Sequence, residues 1–140
     1  QISAKLEALQ AYQLSLQSPA PPAGSFDGAA AERGRAVFEG PGACATCHAG
    51  TLFTDANTRL HDPAEVVSEP EPNGAPSYAS RSATKQYRTT PLRALLRHPP
   101  YFHNGTAATL DAVVELYNTK KGLSLSAEQK ADLVEYLKTL

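Results

Sequence analysis

The chain has no methionine, no tryptophan and only two cysteines among its 140 residues, and aromatic residues make up 7% of it. Without methionine there is no thioether side chain to serve as a soft metal ligand. The cysteines stand at 44 and 47, so they cannot staple distant parts of the chain together. No run approaches the ~18 apolar residues of a spanning helix. Residues 1–20 carry no basic start, apolar block and cleavage site, so neither a membrane span nor a secretion signal is expected within the chain. Thirteen basic residues against 14 acidic ones give a formal charge of −1, which offers no overall basic field for nucleic acid.

Proline is abundant. Eleven prolines in a chain of this length predict long ordered loops between few elements. The length fits a single domain with one core. We divide it into an N-terminal helix and linker over 1–25 and a core over 26–140.

The apolar spacing is helical. Ile2, Leu6, Leu9 and Leu16, helped by Tyr12, predict an amphipathic helix near 2–17, ended by Ser18, Pro19, Pro21 and Pro22. Asp27 is a natural cap for a second helix over 27–39, which carries Val37 and Phe38 and stops at Gly40-Pro41-Gly42. Thr90 and Pro91 fit the cap and first turn of a short helix over 91–97 with Leu92, Leu95 and Leu96, closed by Pro99-Pro100. Thr109 opens a helix over 109–118 with Leu110, Val113, Val114 and Tyr117 at i, i+3, i+4 and i+7, before Gly122. Ser126 and Gln129 form a capping box for a last helix over 126–139 that buries Leu133, Val134, Leu137 and Leu140. Residues 50–90 show neither period, and Pro63, Pro70, Pro72 and Pro76 rule out a long helix there. So long an excursion in a compact domain is expected to wrap a ligand or carry function. With about five helices and no sustained alternation, the class is all-α.

The chemistry concentrates in Cys44-Ala45-Thr46-Cys47-His48. Two thiols spaced by two residues can each add across a vinyl group of a porphyrin, while the adjacent histidine ligates the iron. A thioredoxin-like dithiol would want a βαβ context, and a zinc site would want further cysteines or a spaced histidine pair; neither is present. The pentapeptide therefore predicts one covalent haem c, held by Cys44 and Cys47, with His48 as an axial ligand. Because haem is attached on the outer side of the bacterial membrane, the expected location is periplasmic or secreted, with the signal already removed; Gln1 is then not a translation start.

From these residues outward the chain resembles known cytochromes. Gly34-Arg35-Ala36-Val37-Phe38 leading into the pentapeptide, with a last helix bearing Leu133 and Tyr136, resembles the monohaem cytochrome c fold. That likeness implies that the first and last core helices cross at Gly34 and trade aromatic contacts. Thr90-Pro91-Leu92-Arg93, Pro100-Tyr101-Phe102-His103-Asn104-Gly105 and Thr109-Leu110-Asp111-Ala112-Val113-Val114 resemble the C-terminal haem domain of bacterial dihaem cytochrome c peroxidases and methylamine-utilisation dihaem enzymes. Leu9 to Pro19 and Phe26-Asp27 are similar to that domain's entry segment. The departure is in number, since only one haem motif is present where those enzymes hold two haems in two domains. The resemblance implies an electron-transfer domain, either part of a larger protein or a free monohaem cytochrome.

The sixth iron ligand separates carrier from enzyme. Its candidates are Tyr117, His61, His103, His98 and an open position. Tyr117 shares the apolar face of Leu110, Val113 and Val114 and falls 14 residues after His103, about where the resembled enzymes place a methionine or a tyrosine. Leu52-Phe53-Thr54-Asp55 followed by Leu60-His61-Asp62 resembles a segment of the peroxidases' other domain whose histidine can bind or leave its iron. In the resembled motif His103 fixes the loop by hydrogen bonding, and His98 precedes two prolines. Arg93, beside Pro91, matches a family position from which a guanidinium can bind a haem propionate bidentately.

Arg81, Lys85, Arg88, Arg93 and Arg97 come without one acid between 81 and 110, while Asp62, Glu65, Glu69 and Glu71 crowd the preceding loop. A basic face at the haem edge would steer an acidic redox partner. Two functions follow: a relay that passes electrons to a partner protein or domain, or a peroxidase-like enzyme with an open or labile distal site. The matching blocks, and the lack of a tryptophan bridge, favour the relay.

Overall fold

The computed structural model describes residues 3–68, 76 and 78–140. Its helices are α1 (Leu6–Ser15), α2 (Gly28–Glu39), the single turn α3 (Tyr78–Arg81), α4 (Leu110–Lys121) and α5 (Ala127–Leu137). Short 3-10 turns at Ser3–Lys5, Cys44–Thr46, Pro63–Glu65 and Leu95–Arg97 punctuate the loops. Among the described residues there is no strand, only isolated bridges between His61 and Tyr87 and between Tyr101 and Ala107.

Local chemistry sets the helix ends. The Asp27 side chain accepts from the Ala30 N–H, and the Thr109 side chain accepts from the Ala112 N–H. Ser126 and Gln129 complete the reciprocal capping box, at 3.1 Å and 2.9 Å. Gly122 ends α4 in the left-handed conformation, at φ 62°.

Two expectations are corrected. The helix predicted over 91–97 contracts to one 3-10 turn, because Ala94 takes a left-handed φ of 53° and its N–H bonds the Leu140 carbonyl at 2.5 Å. Leu92 and Leu95 still pack on the core, from irregular backbone. The first helix is shorter than 2–17, and its apolar side does not reach the core: Leu6, Leu9, Tyr12 and Leu16 are all about half exposed or more. Ile2, Glu69, Pro70, Glu71 and Pro72 lie outside the described residues.

The core joins α2, α4 and α5 through Val37, Phe38, Leu110, Val114, Leu133, Val134 and Leu137. At its centre α2 and α5 cross at Gly34, where an added Cβ would lie 1.9 Å from the Asp132 carbonyl oxygen and 2.9 Å from Tyr136 Cβ. One turn on, Phe38 meets Tyr136 edge-on at 5.3 Å. The same crossing is pinned by Arg33, whose Nε and a terminal nitrogen bind the buried Asp132 carboxylate at 2.8 and 2.7 Å. Because the obstacle at Gly34 is backbone, Gly34→Leu should cost at least the ~1–3 kcal/mol of overpacking. A thermal melt would read this as a fall of several degrees, and an unchanged midpoint would contradict the crossing.

Candidate functional site

After α2 the chain turns sharply to present the cysteines. Gly42 N–H bonds the Val37 carbonyl at 2.8 Å, an approach that a Cβ at Gly42 would block at 2.7 Å. Ala43 then takes a left-handed φ of 51° and starts the turn Cys44–Thr46. Residues at i and i+3 eclipse in a 3-10 turn, so Cys44 and Cys47 fall on the same side. Cys44 packs against the core, and burial pushes its thiol up to about 11.

His48 follows directly, its N–H bonding the Cys44 carbonyl at 2.9 Å. Its ring Nδ1 lies 3.0 Å from the Phe53 carbonyl, so the neutral ring donates from Nδ1 and carries its lone pair on Nε2. Burial lowers the pKa of His48 and keeps the ring neutral, the state a metal needs.

Tyr117 projects from α4 towards the same place. It is half-buried, its ring centroid is 6.0 Å from that of Phe102, and its phenol is raised to about 12 by burial and then by the fields of Cys44 and Cys47. The structure therefore brings Tyr117 within electrostatic reach of both thiols. His61 is also near: its ring nitrogen, a Cys47 Sγ and an Asp55 carboxylate oxygen lie within 4.8 Å of one another. However, His61 Nε2 is already engaged, 2.9 Å from Thr89 Oγ1 and 3.1 Å from Asp55 Oδ2.

The remaining candidates sit apart. His103 is exposed, with Nδ1 3.2 Å from Ser68 Oγ and its ring 4.9 Å from that of Tyr87. Together with the bond from Asn104 Nδ2 to the Ser68 carbonyl at 2.7 Å, this fixes the loop, the role the resemblance implied. His98 is exposed, and so is Arg93, although its neighbours Leu92 and Leu95 pack on the core. The basic residues 81, 85, 88, 93 and 97 are all exposed.

One tight turn thus carries two half-buried thiols and a half-buried imidazole, with the half-buried phenol of Tyr117 within the thiols' fields. The chain belongs to the cytochrome c family, whose profile matches residues 31–140. Membership implies a covalently bound haem c.

Among its relatives are Cytochrome-c peroxidase IdrP2 from Denitromonas iodatirespirans, 31% identical over 76% of this chain and 38% of that protein, and methylamine utilization protein MauG from Methylorubrum extorquens, 35% identical over 81% of this chain and 35% of that protein. Hydrazine synthase from Kuenenia stuttgartiensis is similar in structure, with a TM-score of 0.62 and 26% identity over 97% of this chain and 55% of that one. The homology to peroxidases and MauG is the one expected from the sequence blocks. The chain spans less than half the length of the curated relatives it matches. Among the described residues no helix is long and apolar enough to cross a membrane.

Proposed function

We propose that the chain is an electron-relay domain with one haem c, bound through Cys44 and Cys47, with His48 as proximal and Tyr117 as sixth ligand. When bound, the haem supplies reversible one-electron Fe(III)/Fe(II) cycling. The observation that carries this reading is the tight turn Cys44–Thr46, which sets both thiols beside a His48 ring held 3.0 Å from the Phe53 carbonyl; the half-buried Tyr117 phenol, which feels the fields of both thiols, supports the choice of sixth ligand. In the thioether form the cysteines carry no charge, so their opposition to a phenolate disappears, and a cation favours the phenolate further.

The other residues have supporting tasks. His48 keeps Nε2 available by donating from Nδ1 to the Phe53 carbonyl. Arg93, the proposed propionate partner, is exposed on a segment whose Leu92 and Leu95 pack on the core. His61 is the alternative distal ligand, but its move to iron would break its bonds to Asp55 and Thr89. Residues 26–140 are the haem-binding core and 1–25 an entry helix and linker. The exposed basic residues of 81–97 favour an acidic redox partner, protein or domain, and a c-type haem, attached on the outer side of the membrane, supports a periplasmic or secreted location.

A peroxidase-like enzyme is the second reading, favoured by the relatives' names. The isolated holoprotein discriminates: a relay is expected to cycle reversibly with a small reductant and oxidant and to leave hydrogen peroxide unconsumed. Catalytic turnover of peroxide would instead establish the enzyme.

A further inference from the structure

Three buried polar side chains tie the long irregular region together beside His48. His61 and Thr89 are each 8% exposed, and the Asp55 side chain is 13% exposed. His61 Nε2 sits between Thr89 Oγ1 and Asp55 Oδ2, and the Thr89 hydroxyl bonds the same carboxylate. An ionised carboxylate only accepts, so the hydroxyl and the ring N–H both donate to it. Burial raises the Asp55 carboxyl, but these two bonds outweigh it and hold the group below its ordinary value.

Two further links run alongside. Thr54 Oγ1 donates to the Thr89 carbonyl at 2.5 Å, and the main chains of His61 and Tyr87 exchange N–H to carbonyl bonds at 2.7 and 2.8 Å. Segment 53–55 is thereby locked onto segment 87–90 by polar bonds, in a region without a strand ladder.

This lock stands next to both backbone groups that face the His48 ring. One is the Phe53 carbonyl, 3.0 Å from Nδ1, on the residue before Thr54. The other is the backbone of Thr90, the residue after Thr89. Phe53 itself holds a left-handed φ of 53°, a conformation that persists in a bulky residue only when its surroundings impose it. Its ring is fixed edge-on against Phe38 at 6.1 Å, and its carbonyl side is fixed by the lock.

We propose that Asp55, His61 and Thr89 are positioning residues that hold the Phe53 carbonyl on His48 Nδ1 and so set the donor strength of the axial imidazole. The inference rests on His48 as the proximal ligand. A hydrogen bond from Nδ1 raises the basicity of the ligating nitrogen and stabilises Fe(III). Loosening the lock weakens that bond and raises the midpoint potential.

The test uses holoprotein with covalent haem verified by acid-acetone extraction. Thr89→Val removes the hydroxyl at nearly constant volume, and Thr89→Ser restores it. We expect Thr89→Val to show a higher potential and altered ferric EPR g-values, with both returned to the parent's by Thr89→Ser. Should Thr89→Val not fold, Thr54→Val removes the parallel bond and is expected to shift both readouts the same way. A lower melting temperature with unchanged potential and g-values would overturn the proposal and leave the cluster structural. A parent lacking covalent haem would instead overturn the haem reading itself, and this inference with it.

Discussion

Tyr117→Phe is expected to turn the oxidised iron into a water-ligated or five-coordinate, high-spin centre and to raise its midpoint potential. A phenolate oxygen places negative charge on the iron, and that charge stabilises Fe(III) more than Fe(II). Removing it moves the potential upward by a substantial part of the ~0.8 V range that axial ligands command. Phenylalanine keeps the ring against Phe102, so the melting temperature should change little. The vacated position should also admit peroxide, giving weak reactivity that the parent lacks. The ferric spectrum and the potential of this variant beside the parent are the measurements; if both are unchanged, Tyr117 is a core residue, and His61→Ala becomes the variant to make.

The second large effect separates the cysteines from the histidine. Cys44→Ala with Cys47→Ala should abolish covalent haem, so that extraction into acidified organic solvent removes all of it. His48→Ala should leave both thioether bonds possible, retaining haem under the same extraction, while losing the proximal ligand and changing spin state and potential. Each thiol and the imidazole come from one short turn, yet they act through different bonds, carbon–sulfur against iron–nitrogen. Covalent haem surviving in the double variant would show that the site assignment is wrong.

Much of this was legible in the order of residues because it depends on local rules. Asp27, Thr109 and the pair Ser126 and Gln129 cap helices where such residues should, and the structure uses all of them. Gly34 was readable only through family resemblance, yet the contact it permits, backbone against the Asp132 carbonyl, is a plain matter of distance. What escaped is long-range and polar. Nothing in the sequence pairs Arg33 with Asp132, 99 positions apart, or the Asp27 N–H with Glu135 across 108 positions.

The helix expected over 91–97 failed for a related reason. Leu92, Leu95 and Leu96 have helical spacing, but burial rewards apolar residues whatever their backbone, and the bond from Ala94 to Leu140 outcompetes the helix. Similarly, segments 53–61 and 87–90 show no periodicity because Asp55, His61 and Thr89 hold them together by side-chain bonds, which leave no repeating pattern. Of the site, the cysteines and His48 announce themselves by spacing. Tyr117 needed both its helical face and the family likeness to be singled out, and the clamp behind His48 was visible only as His61, with a different role attached.

The most direct test of the histidine–tyrosinate site at the centre of this account is the resonance Raman spectrum of the oxidised parent holoprotein, excited within the phenolate-to-iron charge-transfer region and read together with its EPR spectrum. Histidine–tyrosinate ligation predicts enhanced tyrosinate ring modes that vanish in Tyr117→Phe, on a six-coordinate iron. A water-ligated or bis-histidine iron, with no tyrosinate modes, would contradict it.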